Sequence, residues 1–176
     1  QPAYTIHKKI YRLDKFGEEG GNFSLDHNKH QHTLFIVDEA SMINNSNEFS
    51  MFGTGNLLDD LIQYVYSGEV NRLILIGDTA QLPPVQQDYS PALDESTLES
   101  FFFQVVSFTL TEIVRQDLNS GILHNATMLR DSLSSGFTFD FPKLRVNSKG
   151  DVRLIAGSDL IEEISSVYSR DGIENT

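Results

Sequence analysis

Two apolar runs that each lead into acidic residues stand out in the pattern of hydrophobic and polar positions. Residues 33–37 (TLFIV) are followed by Asp38 and Glu39, and residues 72–76 (RLILI) are followed by a glycine and Asp78. Near-continuous apolar runs of this length are typical of strands in a parallel sheet that is covered on both faces. We therefore predict a buried strand at each of these two positions.

The segment between the two runs has the spacing of an amphipathic helix. Its apolar positions share one helical face: Leu57, Leu58, Leu61, Ile62 and Val65. Asn56 is the predicted N-cap, and Gly68 is the predicted stop. A strand, a helix and a strand in this order form a βαβ unit, in which the two strands are parallel and the crossover is right-handed.

The rest of the chain continues this alternation of helices and strands. Helices are predicted over four more segments: 5–11, the residues after a capping box of Ser96 with Glu99, 120–136 and 158–172. Strands are predicted over residues 105–110 and 151–156, and a loop or hairpin insertion over residues 14–32. The alternation indicates an α/β fold, with a mostly parallel sheet flanked by helices.

The acidic residues at the strand ends are candidates for phosphate chemistry. In open parallel sheets, ligands bind beyond the carboxyl ends of the strands, where Asp38, Glu39 and Asp78 all fall. A carboxylate beside bound phosphates suits Mg²⁺, and a second carboxylate can orient or deprotonate an attacking water. Taken alone, two adjacent acids after a strand are more often turn formers or helix caps.

Two later polar residues fit the same chemistry. Gln81, in GDTAQLPPV, is a neutral group able to hydrogen-bond a γ-phosphate or its attacking water. Arg115, in TLTEIVRQ, follows a predicted strand end and carries the planar guanidinium that suits phosphate oxygens. Each also has an ordinary interpretation, because Gln81 could be an exposed residue at a rigid turn and Arg115 a surface salt-bridge partner.

Together, these segments resemble the superfamily 1 DNA helicases. TLFIVDEASM, LILIGDTAQLPPV and LTEIVRQ, in this order, resemble motifs II, III and IV of that superfamily, and TIHKKIY resembles its motif Ia. The RecD-type branch is the most similar, and SGILHNATMLRDSLSSG also looks like that branch's helix after motif IV. The resemblance spans residues 3–172 and is weakest over residues 14–32.

The resemblance implies a role for each matched residue at a Mg-ATP site. Asp38 would bind Mg²⁺, and Glu39 would activate the hydrolytic water. Gln81 would sense the γ-phosphate of ATP and couple it to DNA, and Arg115 would contact the γ-phosphate from across the site.

The resemblance also implies a contact with single-stranded DNA and a domain organisation. Thr5 and His7 would contact the DNA, although a packed or solvated helix residue is an equally good interpretation of His7. Residues 1–136 would form a partial first RecA-like domain of the phosphate-loop (P-loop) NTPase class, with the insertion at 14–32. Residues 137–176 would connect it to a second RecA-like domain.

One element of the family pattern does not occur in the printed sequence. The 176 residues contain no G-x-x-x-x-G-K-[ST] phosphate loop. By the resemblance, that loop lies upstream of Gln1 and the later helicase motifs lie downstream. We therefore expect a piece of a longer protein, without the remaining motor domains, that in isolation binds ATP and Mg²⁺ weakly and does not unwind DNA.

Three functional interpretations remain at this point. The first is a fragment of an ATP-dependent DNA helicase, or of a helicase–exonuclease subunit in DNA repair and recombination, that couples Mg-ATP hydrolysis to movement on single-stranded DNA. The second is another phosphate-loop NTPase. The third is a catalytically inactive α/β interaction module that has kept the fold.

Charge and composition limit the kinds of partner, metal site and compartment that we expect for this chain. Thirteen Lys and Arg against twenty-five Asp and Glu give a formal net charge of −12, which argues against a self-sufficient nucleic-acid binder. The absence of cysteine excludes disulfides and a thiolate metal site. No apolar run approaches the roughly 20 residues of a membrane helix, so we expect no membrane partner and a cytoplasmic location.

Overall fold

The computed structural model describes residues 3–13, 22–46, 50–101, 104–112, 120–134, 141–146 and 151–171. The chain packs as two compact units, Gln1–Thr109 and Leu110–Thr176. The predicted boundary near residue 136 marks the end of a RecA-like family domain. The division into compact units does not test that boundary, so it stays a prediction.

The first unit opens with a short helix and an antiparallel strand pair. Helix α1 (Ile6–Ile10) is capped by Thr5, whose side chain accepts a hydrogen bond from the Lys8 backbone N–H. Strand β1 (Tyr11–Leu13) pairs with β2 (Phe23–Leu25), with Tyr11 opposite Leu25. Strand β2 lies within the predicted insertion, whereas β1 lies just before it and includes Tyr11, which was predicted as helical. Residues 14–21 of the insertion lie outside the described part of the chain, so the insertion stays a prediction.

The predicted βαβ unit follows. Strand β3 (Leu34–Val37), helix α2 (Leu57–Tyr66) and strand β4 (Arg72–Leu75) occur in this order, and β3 and β4 pair in parallel. Asn56 caps α2 by accepting a hydrogen bond from the Asp59 backbone N–H, as predicted.

Helix α2 supplies the centre of the core. Leu58 and Val65 are fully buried, and Leu61, Ile62 and Tyr64 are nearly so. Burying a side chain of this size contributes about 1.5–3 kcal/mol. The helix packs on one face of the β3–β4 sheet, against a cluster completed by Ile10, Tyr11, Ala40, Ile43 and Ala92.

The other face of the β3–β4 sheet is open in the described part of the chain. Side chains alternate along both strands, and Leu34, Ile36 and Ile74 are 52%, 62% and 43% exposed. The prediction that both faces are covered is therefore wrong for the described residues. The reason is that α2 covers only one face, and no other described element of the first unit covers Leu34, Ile36 and Ile74.

The remaining helices agree with the predictions more closely than the remaining strands do. Helix α3 (Glu95–Glu99), helix α4 (Gly121–Ser134) and helix α5 (Leu160–Asp171) all form. Residues 105–110 and 151–156, predicted as strands, are irregular in the structure. A strand needs hydrogen bonds from a neighbouring backbone, which these two segments do not receive from the described residues. Among those residues, no helix combines the length and apolar character that a membrane span requires.

The cap of α3 differs from the predicted capping box. The structure places the N-cap at Asp94, whose carboxylate accepts hydrogen bonds from the Thr97 backbone N–H (2.8 Å) and from the Ser96 hydroxyl (2.6 Å). Ser96 lies inside the first turn. Asp and Ser are comparable N-caps, so the sequence pattern did not separate two candidates two residues apart.

A buried carboxylate ties the start of the first unit to α2. Asp60 is only 1% exposed and accepts hydrogen bonds from the Tyr11 hydroxyl (2.7 Å), the Thr54 backbone N–H (3.0 Å) and the Thr54 hydroxyl (3.1 Å). Buried polar groups are stable only when they are paired in this way. Asp60 therefore joins β1, the loop before α2 and α2 itself.

Replacing Asp60 by alanine should strongly destabilise the chain. Asp60→Ala leaves the buried Tyr11 hydroxyl and the two Thr54 donors without their acceptor, and we expect a loss of about 2–4 kcal/mol in the free energy of unfolding. Tyr11→Phe removes one bond and should cost about 1 kcal/mol. Urea denaturation of the 176-residue chain measures both, with the exposed Asp88→Ala as a control. Equal losses for Asp60→Ala and Asp88→Ala would contradict the role of Asp60.

The same hydrogen bond predicts a stability loss at alkaline pH. Burial raises the pKa of the Tyr11 hydroxyl above its usual range, and the hydrogen bond to Asp60 raises it further. The folded state therefore favours the neutral phenol, and this contribution is complete below the unfolded pKa of about 10 and is lost as pH rises above it. The stability difference between wild type and Tyr11→Phe should be constant up to about pH 9 and should shrink as the pH rises above about 10. A constant difference would contradict this origin.

Candidate active site at the carboxyl ends of two parallel strands

Parallel pairing brings the carboxyl ends of β3 and β4 to the same edge of the sheet. Val37 is opposite Leu75 in the register. The pairing continues past the strands, since the Ile76 N–H donates to the Val37 carbonyl (2.9 Å) and the Ala40 N–H donates to the Ile76 carbonyl (2.8 Å). The turns that follow the two strands are therefore held side by side.

The turn after β3 presents two exposed carboxylates. The Asp38 carboxylate accepts a hydrogen bond from the Glu39 backbone N–H (3.0 Å), which orients the Asp38 side chain within its own turn. Glu39 has left-handed backbone angles, with φ at 55° and ψ at 40°, an arrangement that non-glycine residues adopt uncommonly. The short 3₁₀ helix Ala40–Met42 then leads the chain away, with Ala40 and Ser41 fully buried.

The turn after β4 is closed by its own aspartate. The half-buried Asp78 carboxylate accepts from the Ala80 backbone N–H (3.0 Å), and the Asp78 carbonyl accepts from the Gln81 N–H (3.0 Å). Short polar side chains favour such turns because they bond the backbone two residues on. The turn directs Gln81 back toward the end of β3, where its carbonyl oxygen accepts a hydrogen bond from the Ser41 hydroxyl at 3.4 Å.

A glycine makes this close approach possible. A Cβ atom on Gly77 would lie 3.0 Å from the Ser41 backbone nitrogen and 2.8 Å from a methyl carbon of Leu93. Leu93 belongs to the short 3₁₀ helix Pro91–Leu93, which forms part of the floor beneath the two turns. Only a residue without a side chain fits this contact without displacing the backbone of the first turn.

The arrangement suits a hard cation held together with phosphates. Mg²⁺ in nucleotide sites takes one or two protein carboxylates, several waters and phosphate oxygens, so it does not need a cage built from the protein alone. Asp38 and Glu39 offer accessible carboxylates of this kind. Within the described residues no three His, Asp or Glu side chains cluster closely enough to hold a metal by themselves. The donor set therefore fits Mg²⁺ that arrives with a nucleotide.

The other predicted site residues lie elsewhere on the chain. Arg115 falls outside the described residues, so its predicted role stays a prediction. Thr5 caps α1, and His7 lies on that helix with its ring 5.0 Å from the Phe52 ring and 5.6 Å from the Tyr11 ring, centroid to centroid. These aromatic residues line a pocket of about 170 Å³. His7 is thus an exposed residue with packed aromatic neighbours.

Ser41 is the site residue that sequence reasoning missed. It follows the two acids by two positions, and no local pattern indicates that its hydroxyl faces Gln81, which is 40 residues further along the chain. The available signals were indirect: two small residues directly after the acids and a glycine before Asp78. Both are typical of places where two backbones pack closely.

Comparison with known proteins assigns the chain to a family. No curated protein and no solved structure matches it significantly. A family model described as an AAA domain matches residues 1–139, which include both strand-end turns and all of α4. The chain therefore belongs to the AAA domain family, a family of ATP-binding domains of the phosphate-loop NTPase class.

Proposed function

We propose that this chain forms part of the ATPase motor of a superfamily 1 DNA helicase of the RecD-type branch, which couples Mg-ATP hydrolysis to movement on single-stranded DNA. One observation carries the proposal. The end of β3, with Asp38 and Glu39, is joined to the end of β4, with Gln81, by the Ala40–Ile76 backbone hydrogen bond and the Ser41–Gln81 contact. An acid pair and a neutral amide so joined suit water-dependent phosphoryl transfer.

Each residue at this site would have a separate role in ATP hydrolysis. Asp38 would hold Mg²⁺, which when bound with ATP neutralises charge on the phosphates. Glu39 would orient the attacking water and accept its proton. Gln81 would hydrogen-bond the γ-phosphate or the water, and Arg115 would neutralise charge on the transferred phosphoryl group.

The exposure of Glu39 supports this division. Both acids are accessible to solvent, so a phosphate and a water can reach them. The left-handed backbone at Glu39 carries a conformational cost for a residue with a side chain, and such costs concentrate at functional sites. A glycine would relieve that cost but would supply no carboxylate.

Replacing Glu39 by glutamine should abolish ATP turnover. Glu39→Gln keeps the size and polarity of the side chain but cannot accept the water proton, so kcat should fall by about 10²–10⁴-fold while KM for ATP changes little. The measurement is DNA-stimulated ATP hydrolysis by the natural protein that carries these residues. The exposed Glu69→Gln is the matched control and should turn over ATP normally.

Two outcomes would contradict the proposal. Wild-type turnover in Glu39→Gln would mean that another residue serves as the base. Absence of DNA-stimulated hydrolysis in the wild-type protein itself would favour a catalytically inactive interaction module.

The distribution of basic residues supports a nucleic-acid contact near α1. Five of the thirteen Lys and Arg residues fall between residues 8 and 29, although the chain as a whole has a net charge of −12. Lys8 is exposed on α1, and the Lys9 ammonium group contacts the His30 ring nitrogen at 2.8 Å. Exposed lysines beside aromatic rings are typical of proteins that bind single-stranded nucleic acid.

Removing one of these charges should weaken DNA binding in a salt-dependent way. We expect Lys8→Gln to lower the affinity for single-stranded DNA and to reduce the slope of log K against log salt by about 0.7, the value for one lost phosphate contact. Fluorescence anisotropy with oligothymidylate at several salt concentrations measures both quantities in the natural protein. The control is Lys143→Gln, which removes an equally exposed lysine from the second unit. Identical slopes for the two variants would contradict a DNA contact at α1.

A further inference from the structure

The Ser41 hydroxyl has one hydrogen-bond partner in the described part of the chain. Ser41 is 0% exposed, and its hydroxyl lies 3.4 Å from the side-chain carbonyl oxygen of Gln81. A buried hydroxyl must place its proton on an acceptor, because an unmade hydrogen bond in the interior is costly. The Gln81 carbonyl oxygen fills that role, and a reversed amide would leave the hydroxyl proton without an acceptor among the described residues.

Ser41 is the fixed member of this pair and Gln81 the adjustable one. The Ser41 backbone packs against Gly77, and its neighbour Ala40 is bonded to Ile76 (2.8 Å) on the adjoining strand end. Gln81 is exposed and has three rotatable side-chain bonds. A hydrogen bond from a fixed group therefore restricts the rotamers and the orientation of the Gln81 amide.

We propose that Ser41 is a positioning residue that holds Gln81 with its amide N–H donors directed away from the buried turn and toward the phosphate and water of the ATP site. This inference rests on the proposed function. With its carbonyl oxygen bonded to Ser41, Gln81 presents donors, and donors are what phosphate oxygens and the attacking water oxygen accept. Ser41 thereby links the turn that carries Asp38 and Glu39 to the amide of the second turn.

A double-mutant cycle on ATP hydrolysis tests this role in the natural protein. Ser41→Ala should lower kcat by roughly 10-fold to 100-fold, the scale of a displaced catalytic group, with little change in KM for ATP. In the Gln81→Ala background, Ser41→Ala should have no further effect, because the group that it positions is gone. Ser90→Ala, at another buried serine of the same unit, controls for the loss of a buried hydroxyl and should leave kcat unchanged.

Two conservative variants sharpen the test. Ser41→Thr keeps the hydroxyl and should recover most of the rate lost in Ser41→Ala. Gln81→Glu keeps an acceptor for Ser41 but lacks the amide donors, so it should be as slow as Gln81→Ala. If Ser41→Thr does not fold, Gln81→Glu and the cycle still decide the question, because Gln81 is exposed and its variants leave the core intact.

The outcomes separate this inference from the function on which it rests. Equal effects of Ser41→Ala with and without Gln81, or a wild-type rate in Ser41→Ala, would overturn the positioning role. Glu39→Gln is measured in the same assay. If Glu39→Gln is inactive while the cycle is additive, only the positioning role fails, whereas a fully active Glu39→Gln would overturn the proposed function itself.

Discussion

The parallel pairing of β3 with β4 is the constraint on which the rest of the first unit depends. Its register places Val37 beside Leu75, and only this register brings Ala40 within hydrogen-bond distance of Ile76. A shift by one residue would exchange the core and solvent faces of a strand. The opposite end is fixed by the buried Asn71, whose side chain bonds the Thr33 N–H (2.9 Å) and the His30 carbonyl (3.0 Å). Contacts at both ends of the β3–β4 strand pair therefore fix its register.

Local features of this fold could be predicted from the sequence, and features that depend on distant partners could not. The apolar stripe and the Asn56 cap of α2 depend on about a dozen consecutive residues, and the runs that form β3 and β4 are equally local. Residues 105–110 have an equally strand-like composition, but composition supplies no neighbouring backbone to pair with.

The candidate site likewise has features that could be predicted from the sequence and one contact that could not. The position of Asp38 and Glu39 at a strand end was predictable, because an acid directly after an apolar run must fall at the end of a parallel strand. The contact between Ser41 and Gln81 was not, because it depends on the turn that Asp78 closes and on the space that Gly77 leaves. Sequence patterns therefore located the carboxylates, and the packing of the turns located the group that orients the amide.

The open face of the β3–β4 sheet has a consequence for the behaviour of the chain in solution. Leu34, Ile36 and Ile74 form an exposed apolar surface on a two-stranded sheet, a combination that favours association between molecules. The net charge of −12 opposes association by mutual repulsion, but salt screens that repulsion and leaves the apolar attraction in place. Self-association should therefore grow with ionic strength, whereas the proposed contact with DNA would weaken, and the two effects would overlap in any salt titration of this protein.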